Sequence, residues 1–290
     1  RYIFTGEEPQ SNNWRAELAR ILTSDKQFAR ATVNYLWAHF FTRGIVDPPD
    51  GWDPRRVDPN DPPPAPWPMQ ASHPQLLDAL ADEFVAGNFS LRRIMKLIAE
   101  SNAYQLSSRY PGQWRSQYTL YFAKHFPRRL AAEEIYDAVV TATQTVTPMY
   151  VQGLAEPLFY ATQLPDPTEP RSNGSIRTFL TNFGRGDWVL TPRKSTPGVL
   201  QVLFMMNDFS VNIRTFPMDT QNAGSRVSRI VQSSMTEDEG IRQLFLSTLS
   251  RYPAEAELAT MRSLRSGRRD EFLSDIQWSL LNKLDFIFNY

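Results

Sequence analysis

The chain has 290 residues, enough to bury a large core as one helical domain or as two lobes. Hydrophobic residues make up 41% and charged residues 21%, which excludes the composition of a disordered chain, and thirty-one basic residues balance thirty-one acidic ones, so no net field favours nucleic acid or anionic lipid. The absence of cysteine excludes disulfides, thiolate zinc sites, iron–sulfur ligation and haem attached through a Cys-x-x-Cys-His run.

The longest apolar stretch, around Val199 to Met206, is far shorter than the roughly 20 residues that span a bilayer, so no membrane insertion is expected. The chain opens on Arg1 without an initiator methionine or a charged-then-apolar leader, and is expected to be a piece of a longer protein. Basic runs such as Arg128-Arg129 and Arg265-Ser266-Gly267-Arg268-Arg269 read as solvated helix ends, and no nucleic-acid partner is expected.

The first predicted helix runs from about Asp25 to Phe41, with Val33, Leu36, Trp37, Phe40 and Phe41 at helical spacing. Nine of the twenty-two prolines then fall between Pro48 and Pro68, so 47–71 is a Pro/Asp-rich loop. Ser72 and Gln75 have the spacing of a capping box ahead of a helix bearing Leu77, Leu80, Ala81 and Phe84, which Gly87 stops. Ser90 caps a helix carrying Leu91, Ile94, Met95 and Ile98, antiparallel to its predecessor.

A fourth helix is predicted from near Pro127, with Glu133 and Glu134 at its positive end and Leu130, Ile135, Ala138 and Val139 on its apolar side. Seven more prolines lie between Pro148 and Pro197 and imply a second non-helical connection. Thr196-Pro197 opens a helix through Leu200, Leu203 and Phe204 to Asn207. Thr236-x-x-Glu239 is a capping box ahead of Ile241, Leu244, Phe245, Thr248 and Leu249. Pro253 starts a helix with Leu258 and Met261, and a last one from about Asp270 uses Phe272, Ile276, Leu280, Leu284 and Ile287.

No run shows strand alternation bounded by hairpin turns; the nearest, 145–151, is interrupted by Pro148. The expectation is an all-α, irregular multi-helix domain with long Pro-rich loops. It is read as one domain over 1–290, divisible into lobes at 1–147 and 148–290.

Seven blocks, FARATVNYLWAHFFTRGIV (28–46), SHPQLLDALADEFV (72–85), SLRRIMKLIAESNAYQLSSR (90–109), PRRLAAEEIYDAV (127–139), VLQVLFMMND (199–208), LSRYPAEAEL (249–258) and WSLLNKLDFIFNY (278–290), resemble the DUF1553 family in content and order. The resemblance implies the C-terminal domain of large exported proteins of planctomycetes, acidobacteria and relatives, following a cytochrome-c-like domain and a second uncharacterised domain, DUF1549. It thus implies a periplasmic or extracellular location, upstream domains of the same polypeptide as partners, and haem c only in an upstream domain. The chain departs from the family pattern between Asp50-Gly51 and Ser72-His73-Pro74, where a Pro/Asp-rich stretch replaces a short glycine-containing link.

Chemistry-bearing residues are few. His39, His73 and His125 are widely spaced and form no metal-ligand motif. Arg129, Glu133 and Asp137 share a helix face at i, i+4 spacing and read first as ion pairs. Together with Arg30, Asn34, His39 and His73 they are the residues from which a polar catalytic pocket would be assembled. Asp47, Asp50 and Asp53 crowd one loop, which would suit calcium, although the Asp-Pro steps there equally suit turns. Trp52, Trp67, Trp114 and Trp188 lie outside the strongest helices, as a platform for a sugar or protein partner or as pins for the loops. RSNGSIR (171–177) lacks a nucleophile elbow, and the adhesion-like tripeptide in GRGDW (184–188) carries no weight.

The reading is a non-catalytic interaction or scaffold domain without a cofactor of its own, partnered by protein or polysaccharide. The alternative is a hydrolytic or carbohydrate-processing domain.

Overall fold

Asp25 ends one helix and begins the next: its backbone N–H donates to Leu22, and its side chain accepts from the Gln27 N–H at 2.8 Å. It joins α1 (Trp14–Ser24), whose own cap is Asn13, to α2 (Lys26–Phe41) in the computed structural model, which describes residues 2, 6–187, 193, 198–216 and 224–289. Thirteen α-helices and one two-stranded ladder occur among the described residues, so the protein is mainly α. It divides into two compact units, up to Arg128 and Arg129–Asn289.

In the first unit α2 packs on α3 (Pro74–Ala86) and α4 (Leu91–Ala99). Ala29, Val33, Trp37 and Phe41 meet Leu77, Ala81 and Phe84, with Ile94 and Ile98 closing the cluster. Trp37 stacks on Phe41 with ring centres 4.2 Å apart, and Phe122 meets both edge-on. Each large side chain taken out of water here contributes roughly 1.5–3 kcal/mol. Ser90 caps α4 as expected, whereas Ser72 does not cap α3. The Ser72 hydroxyl instead donates to Ile45 at 3.1 Å, and His73 is the N-cap without a side-chain bond. The proline-rich loop is closed on itself by Arg56, whose Nε donates to Pro68 and whose carbonyl accepts from Gln70, while Val57 is buried.

The second unit begins at Arg129, the second residue of β1 (Arg128–Arg129), which is paired with β2 (Phe288–Asn289); the Leu130 N–H continues the ladder to Ile287 at 2.9 Å. The expected helix from Pro127 therefore starts later, as α5 (Ala132–Thr143), because these residues pair as extended backbone. α6 (Gly174–Asn182) lies inside the second proline-rich stretch, where no helix was expected; Asn173 caps it, and the prolines flank it instead of interrupting it. Before it, Met149, within the one segment that had any strand character, forms an isolated antiparallel bridge with Leu158 beyond it. α7 (Val199–Asn207) and α8 (Phe209–Asn212) follow; the expected helix start at 196–197 is outside the described residues.

α5 and α6 enclose one core, with Ile135, Val139, Phe179, Leu180 and Phe183 at its centre. α9 (Arg226–Gln232), α10 (Glu237–Leu249), α11 (Glu255–Ser263) and α12 (Arg269–Leu281) enclose another around Ile241, Leu244, Phe245 and Leu273. Leu249 packs against both clusters. The Thr236–Glu239 capping box forms as the sequence requires. The last expected helix breaks at Asn282–Lys283 and resumes as α13 (Leu284–Ile287), which leaves Leu284 exposed. Because α5 packs with α6, α9 and α10, the division between units falls at Arg128, ahead of α5, whereas the sequence suggests lobes meeting at 147–148. No described helix is long and apolar enough to cross a membrane.

Candidate functional site

The end of α5 and the segment after it form one wall of a cavity in the second unit, about 460 Å³ in volume. The first turn of α6 and the stretch from Phe209 to Arg214 form the others, and among the described residues no aspartate or glutamate lines it. Arg214 is only 8% exposed. Its Nε donates to the Ser210 carbonyl at 3.0 Å, and Nη1 donates to the Thr145 carbonyl and, at 3.0 Å, to Thr145 Oγ1. Nη2 donates to Tyr136 Oη at 3.1 Å and to Thr147 Oγ1 at 3.2 Å. Every acceptor is neutral, so a buried cation stands here with no carboxylate among the described residues to balance it. Burial pushes the Tyr136 phenol above its ordinary pKa, against the pull of the Arg214 charge. Next to the wall residue Ser225, Arg226 donates to the Ala142 and Thr141 carbonyls at the C-terminal end of α5, and burial holds its guanidinium below the usual arginine range.

A second polar group in the same unit gathers around Glu133, which is buried in the first turn of α5. Arg193 grips its carboxylate with two bonds of 2.9 and 2.8 Å, and Arg185 Nε lies 3.0 Å away. Arg185 also donates to the Glu169 and Asp166 carbonyls, and burial is the chief reason its guanidinium is held below the usual range. Arg129 donates to the Phe183 carbonyl at 3.1 Å and is shifted downward by burial too. Asp137, one helical turn beyond Glu133, accepts from the Ala161 and Thr162 N–H groups and the Thr162 hydroxyl. These contacts pin loops to α5.

Arg30, Asn34, His39 and His73 belong to the first unit. Arg30 pairs with Asp78, Nε to Oδ1 at 2.6 Å and Nη2 to Oδ2 at 2.9 Å, with Lys26 3.2 Å from the same carboxylate. The fully buried Asn34 amide both donates to the Val46 carbonyl and accepts from its N–H. His39 is exposed on α2. His73 sits beside the Ser72 hydroxyl at 3.1 Å and against Tyr121 and Phe122. The remaining histidine, His125, is buried edge-on to Tyr104.

In the acidic loop Asp47 pairs with Arg43 and Asp53 caps a short 3-10 turn at Pro54–Arg56. Asp47, Asp50 and Asp53 do not come together as ligands: among the described residues no three His, Asp or Glu side chains are grouped to hold a metal ion. Trp52 packs on the first core and donates to Pro49 at 2.8 Å. Trp67 is exposed with Arg56 over its ring, and Trp114 joins Tyr110, Tyr118 and Phe126 under Lys124. Trp188 lies outside the described residues.

Asp78, Arg185, Arg193 and Arg214 escape a reading by motif. Arg185 stands between two glycines in the GRGDW string and Arg214 in an unremarkable NIRTF, where its one signal was a charge beside Ile213.

The model of one family, described as PSD1, a protein of unknown function (DUF1553), matches residues 14–265. Neither the curated proteins nor the solved structures give a significant match.

Proposed function

Because the chain belongs to the DUF1553 family, whose description assigns no activity, we propose its role from its surface: it is a helical interaction domain that docks other domains of its own polypeptide. The observation that carries this is α7. Of its nine residues none is charged, and Val199 (74%), Leu200 (81%) and Leu203 (48%) are exposed, continued by Phe209 (73%) at the start of α8. Only Met205 is buried in the core, with Phe204 packed against it. Contiguous apolar surface of this kind is uncommon on a monomer and marks an interface, since covering each such side chain contributes roughly 1.5–3 kcal/mol.

The resemblance to exported, cytochrome-bearing polypeptides supports an upstream domain as the partner and the periplasm or extracellular space as the setting. The side chains that a hydrolytic pocket would use favour the interaction reading as well. Arg30, Asn34, Glu133 and Asp137 each hold their polar atoms on a fold contact. The test is hydrogen exchange along α7 in the 290-residue chain and in the polypeptide that carries its upstream domains. Amides of 199–207 should exchange at least tenfold more slowly in the longer polypeptide; equal rates in both would overturn the proposal.

A further inference from the structure

The cavity beside Arg214 has a chemistry that the interaction reading does not use. Tyr136 and Thr147 both accept from Arg214 Nη2. A hydroxyl that accepts keeps its own proton, so the two carry two protons, of which a bond between them uses at most one. At least one O–H, on the buried Tyr136 or the half-buried Thr147, thus has no acceptor among the described residues, and the guanidinium behind it polarises it. The Thr145 hydroxyl is engaged elsewhere: its oxygen accepts from Arg214 Nη1 at 3.0 Å, and its 2.7 Å contact is with Thr143.

Among the described residues, a donor without an acceptor and a buried cation without a counter-charge make the same demand, an anionic oxygen at the cavity wall. One uncompensated charge suits one negative charge. The volume, about 460 Å³, exceeds what a bare inorganic anion fills, and the remaining wall offers apolar carbon from Ile176 and Phe179 beside the amides of Gln144 and Asn173. A ring with an apolar face, several hydroxyls and one carboxylate meets each of these surfaces. We propose that this cavity binds a sugar acid, with the carboxylate against the Tyr136–Thr147–Arg214 group.

The proposal is tested by calorimetric titration of the full chain with D-glucuronate, D-glucose and inorganic phosphate. Glucuronate should bind at least tenfold more tightly than either of the others. Arg214→Gln should abolish that preference; because Arg214 also ties the chain locally, a second variant is needed. Ser175→Trp, at an exposed position of the first turn of α6 on the cavity wall, narrows the cavity while leaving Arg214 itself in the chain, and should weaken glucuronate at least tenfold while leaving the melting temperature unchanged. Equal binding of glucose, equal binding of phosphate, or undiminished glucuronate binding to a folded Ser175→Trp protein would each overturn the assignment.

Discussion

Arg30 and Asp78 face each other in the first unit as a two-bond pair at 2.6 and 2.9 Å, joining α2 to α3 where both side chains are nearly out of water. Removing one member of a buried pair leaves the other uncompensated, so Asp78→Asn should cost about 3 kcal/mol. The pH dependence has a definite sign. Burial pushes the Asp78 carboxyl up, but the bonds from Arg30 and then Lys26 outweigh it and leave it below the ordinary carboxylate value. A carboxyl lowered in the folded state contributes its full stability above its unfolded pKa, about 3.9, and loses it as pH falls through the folded value. Denaturant melts between pH 2 and 5 should therefore show a shallower acid loss in Asp78→Asn than in the parent chain; identical slopes would contradict the assignment.

Around Glu133 the two arginines should separate by burial. Glu133→Gln leaves Arg185 buried without its counter-charge, and a loss of about 3 kcal/mol is expected. Arg193, more than half exposed, should cost about 1 kcal/mol or less when replaced by alanine, despite its better hydrogen-bond geometry. Urea unfolding of the two variants checks the order, and a larger loss in Arg193→Ala would show that geometry outweighs burial here.

Gly44 tests the buried Asn34. A Cβ at position 44 would overlap the Val46 carbonyl oxygen and stand 3.0 Å from both Asn34 side-chain termini. Gly44→Ala should therefore cost about 1–3 kcal/mol by forcing the backbone off the Asn34 amide. Asn34→Leu should cost a similar amount, about 1–3 kcal/mol, by leaving the Val46 N–H without its acceptor. The double variant should lose less than the sum, because both act on one contact. Strict additivity in thermal melts would separate the two.

Helices whose apolar residues repeat inside their own segment were legible: α2, α3, α4, α10 and the main part of α12 follow their spacing, and the expected caps form at α4 and α10 but not at α3. What was not legible depends on partners distant in the chain. Leu130 reads as helix but pairs with Ile287, more than 150 residues away, and extended pairing there delays α5. Asp78 reads as a surface carboxylate until α2 places Arg30 on it. The role of Arg214 was not legible, because its five donors end on Ser210 and on residues some seventy positions earlier. α6 was missed because prolines on either side masked a nine-residue helix with a proper Asn173 cap. The same limit applies to α7, whose spacing announces a helix but not which side meets the core.

That distinction yields the sharpest contrast available on a single helix. Met205 is buried in the core of the second unit and Leu200, five residues earlier, is 81% exposed. If α7 is held by its Phe204–Met205 side alone, Met205→Ala should destabilise the 290-residue chain by about 2–5 kcal/mol. Leu200→Gln should leave the chain within about 0.5 kcal/mol of the parent. Binding should reverse the order: Leu200→Gln removes apolar area at the proposed interface and should weaken association with the upstream domains by roughly tenfold or more. Met205→Ala, assayed where it is folded, should leave association nearly unchanged, since its side chain is not on the exposed face. Paired melts and association measurements on the two variants decide the point. A Leu200→Gln chain that melts early would mean that this face packs within the chain and is not free for a partner.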